Sequence, residues 1–305
     1  MQDRSHINWK SKPLNYVMMS IMVFSWGYEY ILAKNVLVIM HPLSLVFYKY
    51  GLAFLFMFLI KLFKDRRNPI KKKHIPMYFL CALFGEVLYF AGEYGAINYL
   101  PVSIVTILLT FVPVLSILIE WALYKRKPRI GVVFGALVCI VGVSFVVGPD
   151  IAEIVSGAGI GYILASMSVI SWNVYNFITE RLTKSYLTFD LTLIQLGASA
   201  LVCMPYALTH IPPISAFDST IIFSILYLAT IASMLGFVIY LNSLNSIGVT
   251  PTTLFSNMLP ITTTFFGYIF LGEMIEPMQI IGGIVVVASG SVVIYLKGKE
   301  LGGNT

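Results

Sequence analysis

Residues 20–30 read Ser20-Ile-Met-Val23-Phe-Ser25-Trp26-Gly27-Tyr28-Glu29-Tyr30, and residues 166–176 read Ser166-Met-Ser-Val169-Ile-Ser171-Trp172-Asn173-Val174-Tyr175-Asn176. Ser, Val, Ser and Trp recur in register 146 positions apart. Each stretch lies in an apolar run of helical length that nevertheless carries polar groups. Two such runs imply a chain built from two related halves.

Outward from these stretches, composition fixes the class. Hydrophobic residues make up 58% and charged residues 11% of the chain, with a mean hydropathy of +0.86, whereas about a quarter of the residues in a soluble domain are charged. The chain reads as an all-α polytopic membrane protein. In lipid each backbone N–H and C=O must be paired internally, and apolar runs of about 20 residues are helices, whereas barrel strands alternate over about 10. Ten segments can be drawn, at 14–34, 42–63, 75–97, 101–123, 130–148, 158–180, 187–209, 219–241, 249–271 and 277–296. The first follows basic residues but spans Leu14 to Ala33 with no small-residue cleavage site after it, so it reads as a retained transmembrane helix.

Charge distribution orients the segments. Of the 20 Lys and Arg residues, 18 fall in the N-terminal tail, the even-numbered links and the C-terminal tail, and none falls in the odd-numbered links. Basic residues stay cytoplasmic, so both termini are placed on the cytoplasmic side of a cell membrane, and the net charge of +6 needs no nucleic acid. Five spans per half then insert the second half upside down, giving two inverted-topology five-helix repeats. A cytoplasmic tail 1–13 precedes repeats at 14–150 and 157–297, and a tail 298–305 follows. Asn98 and Asn245, Val102 and Val249, Thr106 and Thr253, Pro113 and Pro260, and Gly135 and Gly282 match at an offset of 147.

Ionisable groups in spans cost about 2.5–3.5 kcal/mol each on insertion scales and call for a reason. Glu120 lies near the basic link at Lys125 and reads as interfacial, as does Lys34. Lys49 either pairs with a carboxylate across the bundle or touches substrate. Glu86 and Glu93, seven apart, share a helix face with Tyr89 and Phe90 between them. They form either a cation-binding wall or carboxylates buried against Lys49 or a hydroxyl. Trp26, Glu29 and Tyr30 share one face and Trp172, Tyr175 and Asn176 the equivalent one, where rings beside a carboxylate suit a ligand bearing an ammonium group. Thr106, Thr110 and Pro113 form a stripe matched by Thr253, Asn257 and Pro260. Here a proline frees a carbonyl one turn earlier, or the hydroxyls bond their own helices. Gly131, Gly135, Gly142, Gly282, Gly283 and Gly290 read as close helix packing. Cys81, Cys139 and Cys203 lack metal-ligand spacing and read as packing residues, and His6, His41, His74 and His210 are isolated at tails or links. No phosphate loop or nucleophile elbow is visible, so no enzyme, cofactor or metal is expected.

Trp26-Gly27 with Lys34, Leu100-Pro-Val-Ser-Ile104 leading into Val112-Pro113, Pro260 followed by Leu271-Gly272-Glu273, and Gly282 with its apolar run resemble the drug/metabolite transporter superfamily, in its ten-helix EamA-type group. Two departures stand out: Tyr124-Lys125-Arg126 replaces the Leu-Gly-Glu expected after the first-half proline, and Asn173 replaces the glycine after Trp172. The resemblance implies two inverted halves around a central cavity, a midplane substrate site and, most commonly, export.

The expected function is a secondary transporter of a small polar or cationic metabolite such as an amino acid, working by alternating access. Its substrate-binding candidates are Trp26, Glu29, Tyr30, Glu86, Tyr89, Glu93, Thr110, Trp172, Tyr175, Asn176 and Asn257. Glu29 and then Glu93 are the candidates for proton coupling. The partners expected are a small-molecule substrate and the lipid bilayer, for a monomer or homodimer. The alternative is a membrane receptor or assembly subunit that binds a ligand or lipid without moving it.

Overall fold

The structure, a computed structural model, describes residues 12–64, 71–124, 130–147, 157–183, 185–246, 255 and 258–302. Among these residues every regular element is a helix. In the first half, α1 (Lys12–Leu37) and α2 (Pro42–Lys64) are followed by a continuous rod of α3 (Ile75–Cys81), a π-helical stretch at Ala82–Leu88 and α4 (Tyr89–Ile97). Then come α5 (Val102–Leu109), α6 (Val112–Tyr124) and α7 (Ile130–Val147). In the second half, α8 (Gly157–Thr183) and α9 (Thr188–Thr209) precede α10 (Ser219–Tyr227), a π-helical stretch at Leu228–Leu235 and α11 (Gly236–Ser246). α12 (Leu259–Phe266) runs into a third π-helical stretch, Gly267–Leu271, and α13 (Pro277–Gly302) closes the chain.

Local chemistry explains the boundaries. Pro42 and Pro277 open α2 and α13, where their fixed φ fits the first turn and the missing N–H costs nothing. Asp218 caps α10 by accepting from Ile221 N at 2.8 Å. The expected segment 101–123 is two helices, because Pro113 has no N–H to offer Leu109 O. The chain tightens there, with Thr110 N bonding Ile107 O and Phe111 N bonding Leu108 O, both at 3.1 Å.

The π-helical stretch in the third rod corrects a second expectation. Tyr89 N donates to Phe84 O, five residues back. The wider turn rotates the residues after it, so the seven-residue spacing no longer puts Glu86 and Glu93 on one face. The stretches Ala82–Leu88 and Leu228–Leu235 begin 146 residues apart and end 147 apart. The extra residue in the second stretch absorbs the change of repeat offset from 146 to 147.

Four runs, Pro42–Phe63, Lys72–Ile97, Thr188–Thr209 and Ser219–Ser243, are long and apolar enough to cross a bilayer. At 1.5 Å per residue, the 22 residues of the shorter ones reach about 33 Å, the thickness of a hydrocarbon core. Polarity is inverted relative to a soluble protein. Ile21, Phe24, Phe134, Ile163, Leu201 and Ile284 are exposed, while Glu29, Lys49, Glu86, Glu93, Thr106 and Gln195 are buried. This is the surface of a protein dissolved in lipid.

The halves pack reciprocally. α1 lies against α11, α12 and Leu228–Leu235, while α8 lies against α4, α5 and Ala82–Leu88. α2 packs along α9, where the Phe54 ring occupies the space a Cβ on Gly197 would need and Lys61 pairs with Asp190 at 2.8 Å. α7 packs along α13, and a Cβ on Gly142 would stand 2.8 Å from the Val286 side chain, so glycine permits the close approach. After the third π-helical stretch, Gly272 adopts φ +64°, a conformation that favours glycine. It delivers Glu273, whose carboxylate accepts from Lys34 Nζ at 2.9 Å, Val102 N at 3.1 Å and Ser103 Oγ at 3.3 Å. One side chain thereby joins α1, the first turn of α5 and the end of α12.

Candidate functional site

A cavity opens where α1, α4, α5, α6, α8, α11 and α12 converge, with Thr110 between α5 and α6. Its volume of about 90 Å³ compares with roughly 10–15 Å³ needed per water on the same kind of measure. It therefore has room for several waters or a small solute. Seven of the expected binding residues line it: Trp26, Glu29, Tyr30, Tyr89, Glu93, Thr110 and Trp172.

The aromatic groups form a continuous wall. Tyr240 stands between the two tryptophans, with ring centroids 5.9 Å from Trp26 and 5.7 Å from Trp172. Trp172 continues to Tyr89 at 4.6 Å, and Tyr89 to Phe90 at 4.8 Å. Trp26 is fixed by its indole N–H, which donates to Ala232 O at 3.1 Å in the π-helical stretch of the other half.

Two carboxylates interrupt the wall. Glu93 accepts from Tyr30 OH and, at 2.7 Å, from Tyr89 OH. Glu29 accepts from Lys49 Nζ at 3.0 Å and from Tyr94 OH at 2.8 Å, and Lys49 also donates to Tyr94 OH at 2.6 Å. Lys49 is 0% exposed, so the pairing reading of this residue holds. Its ammonium sits 3.6 Å from the Phe90 ring centroid, an arrangement in which the ring face partly replaces lost water. Among the described residues, the protein's bonds to Glu29 and to Glu93 all end on Oε1.

Three expected site residues stand off the cavity wall. Tyr175 is fully buried, packed where a Cβ on Gly85 would fall, and its hydroxyl donates to Gln195 Oε1 at 3.2 Å. Asn176 Oδ1 accepts from Tyr240 OH at 3.5 Å. Glu86 lies in the π-helical stretch, 0% exposed, and neither of its oxygens has a hydrogen-bond partner among the described residues. Asn257 and Thr253, and the side chains of Pro113 and Glu120, lie outside the described residues. Lys34, expected at an interface, pairs with Glu273.

Sequence reasoning missed Leu109, Val112, Phe237, Tyr240 and Leu259 as lining residues, and noted Phe90 and Thr106 on their helix faces without carrying them into the candidate site. For two of them a signal existed: Phe90 and Phe237 are 147 apart, as are Glu93 and Tyr240. The repeat extends to the hydrogen bonds. Glu29 with Lys49 corresponds at offset 146 to Tyr175 with Gln195, and both pairs are bonded. Tyr30 with Glu93 corresponds to Asn176 with Tyr240, again both bonded. The first half uses charges where the second uses neutral groups.

With this geometry in place, known proteins can be compared. A profile described as the EamA-like transporter family matches residues 14–148 and 159–296. This chain belongs to the EamA-like transporter family. An uncharacterized transporter of Archaeoglobus fulgidus is 24% identical over 277 residues, covering 90% of this chain and 94% of that one. The uncharacterized transporter YyaM of Bacillus subtilis is 23% identical, covering 90% and 92%. A probable terminal-alkyne amino-acid exporter of Streptantibioticus cattleyicolor is 24% identical, covering 77% of each chain. A crystal structure superposes with a TM-score of 0.65 at 16% identity, covering 95% of this chain and 99% of that one, a likeness of fold. The family is one of multi-pass membrane transporters, and the chain is a transporter rather than an enzyme.

Proposed function

We propose that this EamA-family protein is a secondary active exporter of a small metabolite bearing an ammonium group, such as an amino acid. The observation that carries the reading is the pair of carboxylates, Glu29 and Glu93, opening onto a cavity otherwise walled by Trp26, Tyr89, Phe90, Trp172, Phe237 and Tyr240. A primary ammonium entering this space meets ring faces and a carboxylate together, and the two attractions act on the same charge. A sugar phosphate would meet the carboxylates as like charges. The amino-acid exporter among the relatives is consistent with the same ligand class.

Transport proceeds by alternating access between two inverted five-helix repeats, 14–150 and 157–297, with ten spans and both tails, 1–13 and 298–305, in the cytoplasm. The reciprocal packing of α1 and α8 on the opposite halves supports this arrangement. The site is the cavity wall named above together with Thr110 and, across the repeat, Asn257. Glu29 and Glu93 are the carboxylates available for proton coupling, and the location is the cell membrane.

The test is counterflow of labelled amino acids in proteoliposomes at set pH gradients. The expected result is saturable flux that responds to the gradient and is lost in Glu29→Gln. Saturable binding with no flux would overturn the reading in favour of a receptor or assembly subunit. Unchanged affinity and proton dependence in Glu29→Gln would remove that residue from the site.

A further inference from the structure

Glu86 has no place in the cavity, yet it is a buried carboxyl inside a membrane span, with neither oxygen hydrogen-bonded among the described residues. Its titratable and charged neighbours are Lys49 and Tyr50 from α2, Glu29 from α1, Tyr175 from α8 and Cys81 on its own rod. The Tyr50 hydroxyl faces it but makes no bond of good geometry. α9, packed on the same stretch, presents the neutral Gln195, engaged by Tyr175. The one cation of this group, Lys49, is held by Glu29.

With Lys49 held by Glu29 and the Tyr50 hydroxyl out of bonding geometry, burial disfavours a carboxylate here, so the neutral acid is the form that fits. The ammonium of Lys49 lies 4.7 Å from the Tyr50 ring centroid and 3.6 Å from that of Phe90. Both rings lie within cation–π reach of the ammonium, so ring faces are at hand to carry the charge when it leaves Glu29. The repeat supplies a comparison. The position equivalent to Glu86 at offset 147 is Ser233, whose hydroxyl donates to Leu228 O at 2.7 Å within the matching π-helical stretch. The stretch therefore forms without a carboxyl, and a folding requirement does not explain Glu86.

We propose that Glu86 is a proton site separate from the substrate cavity and coupled to it by Lys49. At rest Glu86 is the acid and Lys49 is paired with Glu29. A substrate ammonium takes over the Glu29 carboxylate; Lys49 swings to Glu86; the Glu86 proton leaves to water. Two ion pairs replace one ion pair and one neutral acid, so the buried site stays electroneutral and one cation is exchanged for one proton. The π-helical turn gives Glu86 its distinct direction from Glu93, which remains bonded to Tyr30 and Tyr89 throughout. The proposal rests on the ammonium-transporting reading above, but its first measurement does not.

That measurement is infrared spectroscopy of the ligand-free protein. A protonated-carboxyl band is expected in the wild type, lost in Glu86→Gln and retained in Glu93→Gln. Methylammonium chloride, against a sodium chloride control, should then abolish the band and release about one proton per cation bound. In Lys49→Gln, which copies the residue found at the equivalent position 195, the Glu86 band should stay intact when methylammonium is added, because no ammonium is available to move to it. A band unaffected by Glu86→Gln overturns the proton site. Proton release that survives Glu86→Gln, or a Glu86 band lost on adding methylammonium to Lys49→Gln, overturns the coupling. If methylammonium binds nowhere while the Glu86 band is present, the exchange fails with the ammonium reading, and the ligand-free band identifies that case.

Discussion

Replacing Lys49 by Met keeps an unbranched side chain, one heavy atom shorter, in its buried slot and removes the charge and all three donors. Glu29 is then a carboxylate in the protein interior, with Tyr94 OH at 2.8 Å as its remaining donor. Breaking a buried pair by removing one partner costs about 3–5 kcal/mol. Lys49 is wholly enclosed and its contact with Glu29 is 3.0 Å, so this variant belongs at that end of the range rather than with exposed pairs worth about 0–1 kcal/mol. In a chain of this size a kcal/mol moves the unfolding midpoint by about 2 °C, so a fall of roughly 6–10 °C is expected in detergent at neutral pH. The decisive comparison adds Glu29→Gln. In the wild-type background that change orphans a buried ammonium and lowers the midpoint; in the Lys49→Met background it removes an orphaned carboxylate and raises it. The sign of a single substitution reverses with its partner. If Glu29→Gln lowers the midpoint equally in both backgrounds, the pair is not the coupled buried unit described here.

Three further outcomes can be checked by similar means. Glu273→Ala removes the acceptor for Val102 N and the partner of the one-third-exposed Lys34, and should cost about 1–2 kcal/mol, mostly as a lost helix cap, read as a lower unfolding midpoint. Gly85→Ala places a Cβ within the Tyr175 ring and is expected to cost about 1–3 kcal/mol through overpacking. Size-exclusion and thermal profiles of Gly85→Ala alone and with Tyr175→Leu should show partial rescue in the double variant. Trp26→Phe keeps a ring but deletes the donor to Ala232 O, costing about 0.5–1.5 kcal/mol and reducing flux in the counterflow assay more than Trp121→Phe, an exposed position.

The helical membrane class is legible in the sequence because hydrophobic run length and the distribution of basic residues are strong, simple signals. Glu29, Glu93, Trp26 and Trp172 are legible too, because polar groups inside apolar runs are costly and the tryptophans repeat. The remainder depends on local geometry. A π-helical turn at Ala82–Leu88 changes which residues share a face, and no spacing rule built on 3.6 residues per turn anticipates it. Analogy with Glu29 and Tyr30 puts Tyr175 and Asn176 on the cavity, but Gln195 and Tyr240 draw their polar atoms elsewhere. Phe90, Leu109, Val112 and Leu259 are ordinary residues in so apolar a chain, and only tertiary packing separates lining from core. Lys49 stays between two roles in the sequence because its partner lies on a different helix.

Glu273 has a mechanical implication. Because both of its oxygens are occupied by α1 and α5 together, a movement that draws Lys34 away also pulls on the acceptor of the first α5 amide. Three contacts share this single side chain, so a shift of α1 that carries the Glu273 carboxylate with it is felt directly at the first turn of α5.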